Sequence, residues 1–167
     1  MAERNAESRR KAIVERLKTA EGPLSATLLA KEMGVSRQII VGDVALLRAM
    51  DIPVLATPRG YMLERKDAAE NCYVIACQHD MNGMVEELNT VVDNGGAVLD
   101  VIVEHAVYGQ ISGSLQLFSR YDVEVFFQEI RKNKAVPLSD LTGGVHLHTI
   151  SCPSKEVFER VVEALRQ

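Results

Sequence analysis

The run Ser25-Ala26-Thr27-Leu28-Leu29-Ala30-Lys31-Glu32-Met33-Gly34-Val35-Ser36-Arg37-Gln38 decides the first part of the fold. Ser25 stands where a helix N-cap is needed, and Leu28, Leu29, Ala30 and Met33 follow at helical spacing. Gly34 is placed to close that helix in the left-handed conformation. Ser36 is a second cap, opening a helix over 37–50 with Ile40, Val44, Leu46 and Leu47 as apolar contacts. Two short helices joined by a tight, glycine-containing turn form a helix-turn-helix.

Upstream of this run, residues 7–20 read as a helix with Ile13, Val14 and Leu17 on one face. Downstream, residues 52–56 read as a short edge strand, Pro58-Arg59-Gly60 as a turn and residues 61–63 as the returning strand. A hairpin behind a helix-turn-helix is a winged helix. Its second helix lies in the DNA major groove, and its wing reaches the backbone or the minor groove. The expected DNA contacts are Ser36, Arg37, Gln38 and Val41 at the start of that helix, and Arg59 at the wing tip. Arginine pairs with a guanine edge and glutamine with an adenine edge. Gly42 lies inside the same helix, where it costs about 1 kcal/mol relative to alanine and offers no side chain to phosphate.

The charge is divided along the chain. The formal net charge is −4, but residues 1–66 carry a net +4 and residues 67–167 a net −8. Only the first of these pieces is suited to a polyanion. Hydrophobic residues make up 47% and charged residues 25%, the balance of a soluble globular protein rather than a disordered one. No apolar run is long enough to span a membrane, and the polar N-terminus lacks the core of a signal peptide, so a cytoplasmic location is expected. Cys72, Cys77 and Cys152 are odd in number and form no CxxC pair, which reads as reduced thiols, with Cys77 and Cys152 in the core rather than among metal ligands.

After a charged linker over 64–71, the pattern reads strand 72–77, helix 84–92, strand 97–107, strand 111–118, helix 119–132, a loop over 138–144, strand 145–152 and helix 156–165. The order βαββαβα builds an antiparallel sheet covered on one side by helices, an α+β sandwich. The expected domains are thus 1–66 and 67–167.

The last strand carries Val145-His146-Leu147-His148-Thr149-Ile150. Side chains two apart on a strand share a face, so His146 and His148 present two imidazoles side by side. The plain alternative is two polar residues facing solvent. His79 ends the first strand of this domain, and Glu87 lies about two turns along the next helix, which must fold back over the sheet. Three imidazoles and one carboxylate suit one divalent first-row metal per chain: Zn, Fe, Ni or Co. Glu86 points elsewhere and reads as solvated. His105 shares an apolar face with Leu99, Val101 and Val103, which makes it a hydrogen-bonded core histidine or, with Tyr108 in the turn beyond it, an effector contact.

Several stretches carry a family resemblance that covers nearly the whole chain: Ser36-Arg37-Gln38; Ala56-Thr57-Pro58-Arg59-Gly60-Tyr61; His79; His105 with Val107-Tyr108-Gly109; Ser119-Arg120-Tyr121-Asp122-Val123; and Leu141-Thr142-Gly143-Gly144 leading into the two-histidine strand. The chain resembles the bacterial niacin-responsive repressors of NAD biosynthesis, which join a winged helix to a three-histidine regulatory domain. The resemblance implies a homodimer that binds double-stranded operator DNA when nicotinic acid is present, controlling genes of niacin uptake or NAD synthesis. It implies a regulatory domain similar to the phosphocarrier HPr fold, with metal ligands at His79, Glu87, His146 and His148, and no enzymatic activity. Relatives usually carry a basic or polar residue where this chain has Gly42. Two other readings of the same residues remain at this point. One is a repressor for which the metal itself is the signal. The other is a metal-dependent hydrolase fused to a DNA-binding domain; it would also want a nearby general base, for which no acid or histidine is obviously placed and Glu104, on the strand face opposite His105, is the candidate.

Overall fold

The computed structural model describes residues 2–64 and 71–167, and for residues 2–4 the backbone alone. The chain divides into two compact units, Met1–Arg65 and Lys66–Gln167. The linker expected over 64–71 lies, for residues 65–70, outside the described residues.

In the first unit α1 (Ala2–Thr19), α2 (Ala26–Met33) and α3 (Arg37–Ala49) precede an antiparallel hairpin of β1 (Val54–Thr57) and β2 (Gly60–Leu63). Both expected caps form: Ser25 accepts from the Leu28 amide and Ser36 from the Ile39 amide. Gly34 closes α2 at φ 66°, the left-handed value its position demands. Ile13, Leu17, Leu29, Ile40, Val44, Leu47 and Val54 interlock as one core beneath the three helices. Leu24 bridges to Tyr61 through two backbone hydrogen bonds of 2.8 Å, which ties the wing to the chain ahead of α2. A buried ion pair adds to the apolar contacts. Asp43 on α3 is 3% exposed and accepts from Arg9 of α1 at 2.6 and 3.2 Å, with Arg10 at 3.5 Å.

The second unit runs β3 (Cys72–Gln78), α4 (Met81–Asp93), β4 (Ala97–His105), β5 (Gly109–Leu117), α5 (Arg120–Asn133), a 3-10 turn over Leu138–Thr142, β6 (Val145–Ser151) and α6 (Lys155–Leu165). This is the expected βαββαβα order in an α+β architecture. The four strands form one antiparallel sheet in the order β3-β6-β4-β5. Leu88 and Val91 of α4, Val123 of α5 and Val161 of α6 meet Val98, Leu117 and Ile150 of the strands in one core.

The element ends correct the sequence reading in places. α4 begins at Met81 rather than 84, because Asp80 is its N-cap and accepts from the Asn82 and Gly83 amides. β4 stops at His105 rather than 107, since residues 106–108 are the turn. Ser119 caps α5 by accepting from the Asp122 amide. Asp122, 4% exposed, accepts from the Phe118 amide and the Ser119 hydroxyl in return. The Ser-Arg-Tyr-Asp stretch is therefore a reciprocal helix cap.

Candidate metal centre and DNA-binding face

β6 carries His146 and His148 on the face covered by the helices, and each is 3% exposed. Antiparallel pairing sets Cys77 of β3 opposite His146 and Ile75 opposite His148. His79 follows the end of β3, immediately before the Asp80 cap. The start imposed by that cap turns Glu87, 9% exposed, down onto the sheet.

The three imidazoles converge on the Glu87 carboxylate. His79 Nε2 lies 2.6 Å from Oε2, while His148 Nε2 and His146 Nε2 lie 2.8 and 3.5 Å from Oε1. The imidazole rings meet edge to face, with centroids 4.8 Å apart for His79 with His146 and for His146 with His148.

Each of the three rings is held by its other nitrogen. Nδ1 of His79 is bonded to the Asp80 carbonyl at 2.7 Å, Nδ1 of His146 to that of Gly144 at 2.8 Å, and Nδ1 of His148 to that of Asp100 at 2.5 Å. A carbonyl oxygen only accepts, so each Nδ1 carries the proton and each neutral ring turns a bare Nε2 lone pair toward the centre. Three lone pairs around a carboxylate repel unless cations lie between them, whether protons or a metal ion. His79 Nε2 is buried and makes no hydrogen bond despite its closeness to Glu87. Carbonyl-anchored imidazoles with converging free nitrogens are the outer-shell arrangement of metal-binding histidines. The residues present thus fit a divalent ion of the Zn, Fe, Ni or Co type.

Without metal, the protons of this cluster are redistributed. Burial pushes the Glu87 carboxyl up, but hydrogen bonds from His146 and His148 and the surrounding imidazoles outweigh it and hold Glu87 well below the usual carboxylate range. Burial opposes charge on His146, yet Glu87 and the Gly144 carbonyl raise its pKa above the ordinary histidine value. Burial, then Glu87, pushes the Cys77 thiol up.

Two backbone features set the geometry. The β4–β6 register shifts between Val98 and Ile102, and Asp100 fills the gap: its carbonyl holds His148 Nδ1 and its carboxylate accepts from the Thr149 amide at 2.8 Å. Gly144 has φ 91°, and a Cβ there would collide with the backbone of His79.

His105 does not belong to the cluster and is not a core residue. It is half-buried at the end of β4, and its Nδ1 accepts from the Val107 and Tyr108 amides at 3.2 and 3.3 Å. Its free tautomer is thus the reverse of the other three. Tyr108 stacks obliquely against it and is 77% exposed. The expected alternation holds for Val101 and Val103, but the register shift puts Val98 rather than Leu99 in the core, and the strand ends at His105, so the ring caps a turn.

Cys152 is buried in the core as expected, whereas Cys77 is not a core residue. It is half-buried, and its sulfur stands with Glu87 and His146 in a group whose donor atoms lie within 4.8 Å of one another. No spacing rule marks it; the signal is its cross-strand register with His146. An open cavity of about 780 Å³ adjoins the cluster, with Cys77, His79 and Glu87 on one side and Ile75, Phe158, Val162 and Arg166 among its other lining residues. Glu86 is exposed, as expected, and also lines this cavity. Glu104 is exposed on the opposite strand face, bonded to Gln110.

In the first unit Arg37 and Gln38 are exposed on the first turn of α3. Ser36 is exposed as well, but its oxygen is engaged by the cap. Val41 is half-buried rather than exposed, because it sits on the flank next to the core residue Ile40. Gly42 faces open space: a Cβ there would meet nothing within 4 Å. Arg59 occupies the turn between β1 and β2, at the wing tip.

Residues 72–167 match the 3H domain family and residues 9–62 match an HTH domain. The chain is 42% identical over 161 residues to a probable transcription repressor, NiaR, of Thermotoga maritima, an alignment covering 96% of this chain and 91% of that protein. It is 39% identical over 165 residues to the transcription repressor NadR of Bacillus subtilis, with the same coverage. Among the described residues no helix is long and apolar enough to cross a membrane.

Proposed function

Because the chain belongs to the 3H-domain family of transcription repressors that includes NiaR and NadR, we propose that it represses genes of niacin uptake or NAD biosynthesis, binding operator DNA as a homodimer with nicotinic acid as corepressor. In this reading one divalent transition metal ion per chain is held by His79, Glu87, His146 and His148. The observation that carries the regulatory half is the set of three carbonyl-anchored imidazoles around Glu87, a cluster that reaches a cavity through His79 and Glu87.

Nicotinic acid is a flat aromatic ring with a carboxylate and a pyridine nitrogen. The cavity offers apolar surface from Ile75, Phe158 and Val162, the cation of Arg166, and His79 and Glu87 from the metal-binding set. A bound ion with an open position would add an electrophilic anchor for either polar end of the ligand. His79, His146 and His148 hold that anchor in place through their Nδ1 bonds.

On DNA, Arg37 and Gln38 would read base edges and Arg59 would contact the backbone or the minor groove. A two-fold dimer requires a palindromic or near-palindromic operator, with recognition helices about 34 Å apart. The effector would act by favouring the dimer arrangement that meets this spacing.

Calorimetric titration of nicotinic acid and of nicotinamide into metal-loaded and chelated protein tests the effector site. The expected result is binding of the acid to the loaded protein, weaker binding of the amide, and loss on chelation. Equal binding of the acid to stripped, folded protein would remove the metal from the effector site. A heat of metal binding without any response to the acid would favour a repressor for which the metal is the signal.

A further inference from the structure

We propose that Cys77 supplies a sulfur donor to this metal centre, on the side that faces the cavity, so that the ion is bound by three imidazoles, one carboxylate and one thiolate. The inference rests on the metal reading above. Its own support is geometric.

Cys77 and His146 are direct cross-strand partners, so their side chains leave the sheet side by side on the same face. The sulfur, the His146 nitrogen and a Glu87 oxygen lie within 4.8 Å of one another. Two donors on one zinc-sized ion are at most about 4.4 Å apart, from bond lengths of about 2.3 Å to sulfur and about 2.1 Å to nitrogen. At the tetrahedral angle the same bonds set the donors about 3.6 Å apart, so the widest pair must close by up to about 1 Å to share an ion. His79 Nε2, a second buried atom aimed at the same carboxylate, has no hydrogen bond. Cys77 also lines the cavity beside His79 and Glu87, so it stands at the same edge of the centre that a small molecule in the cavity would meet.

The other two cysteines cannot take this role. Cys152 is buried in the apolar core, and Cys72, five residues back along β3, leaves the strand on the opposite face. A thiolate makes the donor set softer than nitrogen and oxygen alone. It should bias the site toward zinc or cobalt and away from manganese.

The test is the electronic absorption of the full-length protein loaded with Co²⁺, alongside Cys77→Ser and Cys72→Ser. The expected result is visible ligand-field bands in all three and a near-ultraviolet thiolate-to-cobalt charge-transfer band in the wild type and Cys72→Ser that is lost in Cys77→Ser. Ligand-field bands without the charge-transfer band in the wild type, or a band that survives Cys77→Ser, would overturn the sulfur donor and leave the histidine centre standing. Failure of the wild type to bind Co²⁺ at all would overturn both. X-ray absorption of the zinc-loaded wild type needs no variant: a sulfur scatterer in the first shell supports the assignment, and nitrogen and oxygen alone contradict it.

Discussion

Gly144 and the backbone of His79 are in such close approach that no side chain fits between them: a Cβ at residue 144 would collide with the His79 carbonyl. On its other side His79 meets Gly83, in the first turn of α4, where a Cβ would come within 2.9 Å of the His79 Cβ. The histidine is clasped between two glycines, one on the strand side and one on the helix side.

This clasp predicts a specific defect. Gly83→Ala should favour the helix by about 1 kcal/mol in isolation. By displacing the His79 ring it should nonetheless weaken metal binding about 10–100-fold, the range seen when the orientation of a ligand is lost. In a His79→Ala background the same change should have little further effect, since both act through one ligand. Competition titrations with a metal indicator measure this. Unchanged affinity in Gly83→Ala would contradict the clasp.

The metal-free cluster predicts a pH profile. The folded pKa of His146 lies above the ordinary 6.5, so its stabilisation is complete below that value and lost as pH rises through the folded pKa. That of Glu87 lies below the ordinary 4.5, so its stabilisation is complete above 4.5 and lost as pH falls toward the folded value. Chelated protein should therefore melt at its highest temperature in mildly acidic buffer and lose stability toward alkaline pH. Metal-loaded protein should show the reverse between about pH 5 and 8, because protons compete with the ion for the imidazoles. Glu87→Gln should flatten the metal-free profile. Thermal melts across this range check both signs.

The buried pair in the first unit sets its stability. Asp43→Ala leaves Arg9 and Arg10 facing each other without the carboxylate that both approach. The expected cost is about 3 kcal/mol, the lower end for breaking a buried pair, because the two arginines retain some solvent. Denaturant melts measure it, and a change below about 0.5 kcal/mol would contradict this role.

The exposed side of α3 makes a graded prediction. Arg37→Ala and Gln38→Ala should each weaken specific DNA binding by about 1–3 kcal/mol. Arg59→Ala should weaken binding across sequences and lower the salt dependence by about one phosphate contact. Gly42→Gln meets no steric obstacle, so it should stabilise α3 by up to about 1 kcal/mol and tighten DNA binding. Fluorescence anisotropy on a labelled duplex reads all four variants. Tighter binding in Arg37→Ala would reassign the reading face.

Much of this architecture is legible in local chemistry. The caps at Ser25 and Ser36 and the glycine between them mark the helix pair, and two-residue alternation in β6 puts both histidines on one face. Other features depend on tertiary pairing. Asp80 reads as part of a loop until the helix behind it is seen to use its carboxylate. His105 follows the apolar alternation of β4, but where that strand ends decides that it caps a turn. Cys77 lies 69 residues before its partner His146 in sequence, and only the β3–β6 register brings them together. Strand and helix spacing single out the four candidate ligands and the resemblance agrees with them; their Nδ1 anchors and the two glycines beside His79 come only from the folded backbone.

The most direct test of the account is binding of the full-length protein to promoter DNA from niacin-uptake and NAD-synthesis genes, with and without nicotinic acid, before and after chelation. The account predicts tight, sequence-specific binding only with nicotinic acid and metal together, lost on chelation and restored by the ion. Binding that tightens with metal alone and ignores nicotinic acid would contradict it.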